Sequence, residues 1–155
     1  MTRNAAAAAA AIALSMLAPA VAEAACAGQP GGGAIQLDVV ATDVRNGAGE
    51  VAFTVYPDDS GRFLAKGGKL LRQRVPAAAG TTRACFWLKP GYYAIAIYHD
   101  ENGDHDFNRT LFSVKEGFGF SNDAPTTLGV PSFRAVRFPV SADRRTVRIK
   151  MRYSR

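Results

Sequence analysis

Thr146-Val147-Arg148-Ile149-Lys150-Met151-Arg152-Tyr153 alternates without a break. Val147, Ile149, Met151 and Tyr153 fall on one side, and Arg148, Lys150 and Arg152 on the other. A period of two sends successive side chains to opposite faces of a strand, so the segment reads as a strand with one buried and one wetted face. The same period recurs upstream. Ile35, Leu37 and Val39 alternate with Gln36 and Asp38, and Val51, Phe53 and Val55 with Ala52 and Thr54. Between those two runs stands Asn46-Gly47, a turn signal that predicts a hairpin with a somewhat longer loop. Lys69 to Val75 and Thr82 to Leu88 are predicted as further strands, the second stopped by Pro90-Gly91. Tyr92 to His99 is almost continuously apolar, as a central strand covered on both faces should be. No long stretch beyond the leader described below keeps a 3.6-residue period with helix caps. The pattern predicts an all-β protein, an antiparallel β-sandwich.

The chain has 155 residues, the length of a single domain. Its first 24 residues read as a signal peptide. Arg3 is a short positive start, Ala5 to Ala22 an uncharged run, and Ala22-Glu23-Ala24 supplies small residues where a signal peptidase reads them. Cleavage is expected before Ala25. That divides the chain into a leader (1–24), a flexible Gly/Pro-rich lead-in (25–33) and one sandwich domain (34–155). Alanine contributes little insertion energy and no basic stop-transfer cluster follows, so no transmembrane segment is expected in the mature chain. Glu23, three residues before Cys26, stands where a lipoprotein signal wants an aliphatic residue. The expected location is the periplasm or the exterior, where two cysteines, Cys26 and Cys85, most simply form a disulfide.

The most unusual segment is His99-Asp100-Glu101-Asn102-Gly103-Asp104-His105-Asp106-Phe107-Asn108. Oxygen side chains fall at Asp100, Asn102, Asp104 and Asp106. A tightly turning loop can aim such a set at one hard cation, Ca²⁺ first among them. The EF-hand pattern is half met: His105 stands in place of its glycine and Leu111 in place of its bidentate glutamate. The same residues also suit a plain Asx turn, with side chains bonding nearby backbone N–H groups. Zinc through His99 and His105 has no third nitrogen or thiolate in evidence.

Tyr93-Ala94-Ile95-Ala96-Ile97-Tyr98-His99-Asp100-Glu101-Asn102-Gly103 resembles the "YAvavfHDeNgN" core of a bacterial family known only as domain of unknown function 2141. Lys115-Glu116-Gly117-Phe118-Gly119-Phe120-Ser121-Asn122 is similar to that family's "EGYGFSNN". Pro131-Ser132-Phe133-Arg134-Ala135-Val136-Arg137-Phe138 is similar to its "PSFedAkF". The resemblance covers roughly residues 34–153. It implies an exported, transthyretin-like or immunoglobulin-like sandwich and brings no established activity. Leu111-Phe112-Ser113-Val114 replaces the family's Gly-Ile-Pro turn. Gly117 and Gly119 alternate with Phe118 and Phe120. These phenylalanines could fold the segment back over the acidic loop or simply plug the core. In the first case His99, Asn108, Glu116, Ser121, Asn122 and Asp123 would rim a binding site.

The formal net charge is +6, and no Asp or Glu occurs between Ser60 and His99. Arg148, Lys150 and Arg152 form a basic stripe on one strand face. Such charge favours polyanions. Export makes nucleic acid a poor partner and an anionic envelope component, lipid or acidic glycan, a better one. Three functions follow. The first is a non-enzymatic binding or accessory domain of unknown ligand with a calcium-stabilised loop. The second is a small-substrate hydrolase using His99 with Asp100 or Asp106. No Ser or Cys nucleophile set stands beside either histidine, which leaves that reading the weaker, and no catalytic residue is assigned. The third is an envelope module acting through its basic face.

Overall fold

The computed structural model describes residues 25–105, 116–126, 130–143 and 145–153. Among the described residues, eight strands form two packed sheets: β1 (Ile35–Val44), β2 (Glu50–Pro57), β3 (Leu71–Pro76), β4 (Gly80–Leu88), β5 (Gly91–Asp100), β6 (Gly117–Phe120), β7 (Phe138–Val140) and β8 (Thr146–Lys150). The smaller sheet has the order β4-β1-β8 and the larger β3-β2-β5-β6, with β7 also on β5. A 3₁₀ turn at Ser121–Asp123 and a single helical turn, α1, at Phe133–Val136 complete the described residues. The protein is an all-β sandwich.

Alternation builds the core between the sheets. Leu37, Val39 and Ala41 of β1 meet Val51, Phe53 and Val55 of β2, with Phe86, Ile95, Ile97, Val147 and Ile149 around them. Each large side chain buried in this way contributes about 1.5–3 kcal/mol. A second apolar cluster lies on the outer face of the larger sheet, where Tyr56, Ala94, Phe120 and Val136 are buried together with Phe63 and Phe133 against them. β5 is therefore covered on both faces, and Phe118 and Phe120 belong to this outer cluster.

Two expectations change. Asn46-Gly47 does not close a hairpin, because β1 pairs with β4 and β8 while β2 pairs with β3 and β5. The turn instead carries the chain from one sheet to the other. Its Gly49 has φ +63, and a Cβ there would lie 1.9 Å from the Asp100 carbonyl oxygen. The sandwich is also not wholly antiparallel, since β8 runs parallel to β1.

Both open sides of the sandwich are bridged. On one, the Cys26–Cys85 disulfide fastens the N-terminal segment to β4. There Ala27 N–H donates to the Cys85 carbonyl at 3.0 Å, and Gln73 of β3 donates to the Ala25 carbonyl at 3.1 Å. On the other, Phe118 and Arg152 exchange backbone hydrogen bonds at 2.9 and 2.8 Å. Gly117 and Gly119 permit this second bridge. A Cβ on Gly119 would lie 2.5 Å from the Lys150 carbonyl oxygen, and one on Gly117 would strike the Tyr153 ring. Close approach, rather than backbone freedom, is what these two glycines supply.

Candidate functional site

Asp100 is the last residue of β5, and strand alternation gives it and His99 opposite fates. His99 points into the sandwich and Asp100 to the outer face; both are fully buried. A buried carboxylate must be paired and hydrogen-bonded. Asp100 Oδ1 accepts the Gly103 N–H at 2.8 Å, and Oδ2 accepts the His105 N–H at 3.0 Å. Arg74 Nη1, from the edge strand β3, donates to Oδ2 at 3.2 Å. The same guanidinium holds Tyr98 Oη at 2.5 Å and the His105 carbonyl at 3.2 Å. Burial pushes the Tyr98 hydroxyl pKa above its ordinary value. Asn102 Oδ1 accepts the Asp104 N–H at 3.2 Å, and Asn102 Nδ2 donates to Asp104 Oδ2 at 2.8 Å. The loop is thus a ladder of Asx turns wound about one buried carboxylate. His105, where an EF-hand places glycine, has φ 61.

Glu116 returns to this point from sixteen positions downstream. β6 pairs with β5 so that Gly117 stands opposite His99, and the preceding Glu116 therefore meets Asp100. Carboxylate oxygens of Asp100, Asp104 and Glu116 lie within 4.8 Å of one another. Partial burial, together with the Asp100, Asp104 and Glu101 charges, raises the Glu116 carboxyl pKa above its ordinary value. Three acidic oxygens held this close suit a hard cation and repel one another without one. Asn102 turns its side chain to Asp104, and Asp106 and Asn108 lie outside the described residues.

The remaining rim candidates lie elsewhere. Ser121, Asn122 and Asp123 follow the far end of β6 and act within the fold. Ser121 Oγ accepts the Ile95 N–H at 3.0 Å and donates to the Val136 carbonyl at 2.5 Å. Asn122 Nδ2 donates to the carbonyls of Ala135 and Arg137, both at 3.0 Å. Asp123 Oδ1 accepts the Lys150 N–H at 2.7 Å.

His99 is equally committed. Its Nε2 is 2.7 Å from the Ala48 carbonyl and its Nδ1 is 2.8 Å from Tyr153 Oη. A carbonyl only accepts, so Nε2 carries a proton. Tyr153 Oη in turn accepts the Arg45 N–H at 3.0 Å. Beside it, Arg45 Nε donates to Glu101 Oε1 at 2.6 Å, and Asn46 Nδ2 donates to the same oxygen at 2.9 Å. The Arg45 hydrogen bond holds the Glu101 carboxyl below the ordinary range. With both ring nitrogens engaged and no exposed surface, His99 has no reach to a substrate. His99 is thereby withdrawn as the general base of the hydrolase reading, and Asp106, its other candidate partner, lies outside the described residues.

A small open crevice lies further down the same outer face, between Thr54, Tyr56, Arg72, Ala96, Tyr98 and Phe120. Its aromatic walls are at least 94% covered, so they offer no open ring face for stacking.

The model of a family described as "Uncharacterized protein conserved in bacteria (DUF2141)" matches residues 39–148. The chain belongs to this family. No curated protein and no solved structure matches it. The matched span in this DUF2141 member runs from β1 into β8 and includes the whole acidic cluster. Among the described residues, no helix is long and apolar enough to cross a membrane.

The role of Arg74 is not visible in the sequence, where the acid-free run that contains it reads only as basic charge. One signal was present: a run without acids between Ser60 and His99 leaves its arginines to find partners across strands. Arg74 finds Asp100, and Arg72 Nε donates to Thr54 Oγ1 at 2.8 Å.

Proposed function

We propose that this DUF2141 protein is an exported, non-enzymatic binding or accessory domain whose acidic end takes up a calcium ion. The observation that carries the reading is the convergence of Asp100, Asp104 and Glu116 from both sides of the β5–β6 connection. A cation there would link the two chain ends that bound the connection and cancel the repulsion that raises Glu116. Arg74 already neutralises part of Asp100, and three protein carboxylates fall short of the six to eight oxygens that calcium takes. The remainder would be water. Affinity would then fall near the 10⁻⁴–10⁻³ M range of extracellular modules, which fits a protein outside the cytoplasm. Export rests on the leader read at residues 1–24 and agrees with the disulfide.

Thermal unfolding in millimolar calcium and in EDTA tests the cation. Calcium should raise Tm, and magnesium should raise it less, because magnesium demands near-octahedral geometry. Equal Tm values, with no heat of calcium binding by titration calorimetry, would overturn the site. N-terminal sequencing of the exported protein tests the leader. A chain beginning at Ala25 is expected, and an uncut chain retained in the cytosol would refute export.

A further inference from the structure

The outer face of the smaller sheet carries an anomaly. Alternation turns Leu37, Val39 and Ala41 inward and Val40 outward, yet Val40 has no exposed surface. In register, Arg83 of β4 flanks it on one side and Arg148 of β8 on the other. Strands about 4.8 Å apart place these two Cα atoms about 10 Å apart across Val40. Both arginines are exposed. Arginine stems cover apolar surface while their heads stay in water, and these are the side chains placed to cover Val40.

A minority of the described Lys and Arg side chains have a carboxylate partner. Arg45 is paired with Glu101, Arg74 with Asp100, Arg137 with Asp58 and Lys150 with Asp43. Arg83 and Arg148 have no carboxylate partner among the described residues. The two strands that flank β1 therefore hold two guanidinium groups about 10 Å apart, with Asp38, two positions along β1, the acid on the same face. Trp87 stands two pairs further along β4 on the same face, half-buried. The face is a pleated surface rather than a cleft, so it fits a planar partner better than a chain held in a groove.

We infer that this face docks onto an anionic phospholipid bilayer, with Arg83 and Arg148 binding headgroup phosphates and Trp87 at the interface. The surface is separate from the acidic cluster. Docking therefore stands or falls independently of calcium.

Co-sedimentation of the full protein with phosphatidylglycerol–phosphatidylcholine vesicles, in EDTA and at low salt, is the test. Binding is expected, with none to pure phosphatidylcholine and loss at about 1 M salt, where the Debye length is about 3 Å. Replacing both arginines (R83Q/R148Q) should weaken partitioning about 25-fold, about five-fold per charge. Arg134→Gln removes one charge from α1, on the opposite side of the sandwich, and should leave binding within about two-fold. Equal losses in Arg134→Gln and Arg148→Gln would show a net-charge effect and overturn the face. Binding that ignores vesicle charge, or that occurs only to dextran sulfate, would overturn the lipid assignment. Matching melting curves for the variants would keep misfolding out of the result.

Discussion

Replacing Arg74 by methionine removes the one cation among the described residues that touches the buried Asp100. The carboxylate is completely covered, while the Arg74 side chain keeps 20% of its surface exposed. Deleting one partner of a buried ion pair costs about 3–5 kcal/mol, because the survivor is left charged without compensation. Two features lower that figure here. Asp100 keeps its backbone bonds from Gly103 and His105, and solvent reaches the cavity that the guanidinium leaves. Against this, Tyr98 Oη and the His105 carbonyl also lose their donor. The expected loss is about 2–3 kcal/mol. Trp87 is the only tryptophan, so urea unfolding followed by its fluorescence, with far-UV circular dichroism alongside, measures the change. The midpoint should fall at constant slope. Arg74→Lys keeps the charge but cannot hold three acceptors at once and should lie about halfway. Asp100→Asn combined with Arg74→Met should cost less than the sum of the singles by about 1 kcal/mol or more, since neither partner is then stranded. The Arg74→Met variant should also gain more from calcium than the parent, because a competing positive charge has gone. A loss below about 0.5 kcal/mol, the range of exposed ion pairs, would refute the role given to Arg74. So would strict additivity with Asp100→Asn.

Glu116 and Glu101 should respond to pH in opposite senses, which follows from their surroundings. The Glu116 carboxyl is raised above 4.5, so in EDTA it costs stability as pH rises through 4.5 toward the raised value. Glu116→Gln should therefore stabilise the calcium-free protein at neutral pH, do nothing at acid pH and abolish the calcium-induced rise in Tm. The Glu101 carboxyl is lowered by Arg45, so its contribution is complete above 4.5 and disappears as pH falls further. A Glu116→Gln protein that still gains Tm from calcium would sink the carboxylate triad. Gly49→Ala forces a left-handed residue and a Cβ into the Asp100 carbonyl. It should destabilise by about 3 kcal/mol or more by chemical denaturation, and a neutral result would show that the Arg45–Gly49 turn does not pack against β5 as described.

The strands were legible because period two survives wherever one face is buried. Thr146–Lys150 and Glu50–Pro57 fall where alternation put them, and the family motifs of β5 and β6 were specific. The pairing of β1 was not legible. Asn46-Gly47 has the chemistry of a hairpin turn, and nothing local distinguishes a turn within one sheet from one that crosses between two. What decides is Gly49, whose missing Cβ lets the turn pack on the Asp100 backbone, and that contact joins residues far apart in sequence. The candidate site was half legible for the same reason. Asp100, Asn102 and Asp104 announce themselves by spacing, whereas Glu116 enters through strand pairing and Arg74 through an edge strand on the other side of β2. Ser121, Asn122 and Asp123 were misplaced because closeness in sequence to Glu116 suggested closeness in space. A strand rises about 3.3 Å per residue, so β6 carries them well away from the loop.

The chemistry of Asp100 limits what the loop can do. A carboxylate offers about four acceptor sites, and Asp100 gives three of them to Gly103, His105 and Arg74. It therefore fixes the loop first and could offer a cation no more than its last lone pair. The loop's turns are built with protein donors alone, so a cation is not needed to fold them. Among the described residues no hydrogen bond ties the loop to Glu116, the only one of the three carboxylates that comes from beyond the β5–β6 connection. Metal binding should therefore act most strongly on that connection, above the global increment that raises Tm. Hydrogen exchange separates the two contributions: calcium should slow the amides of Gly117 and Phe118 more than those of β1 and β4, which gain only the global increment. Uniform protection across both sheets would mean that the ion stabilises the whole sandwich and that Asp100 contributes more than one lone pair to it.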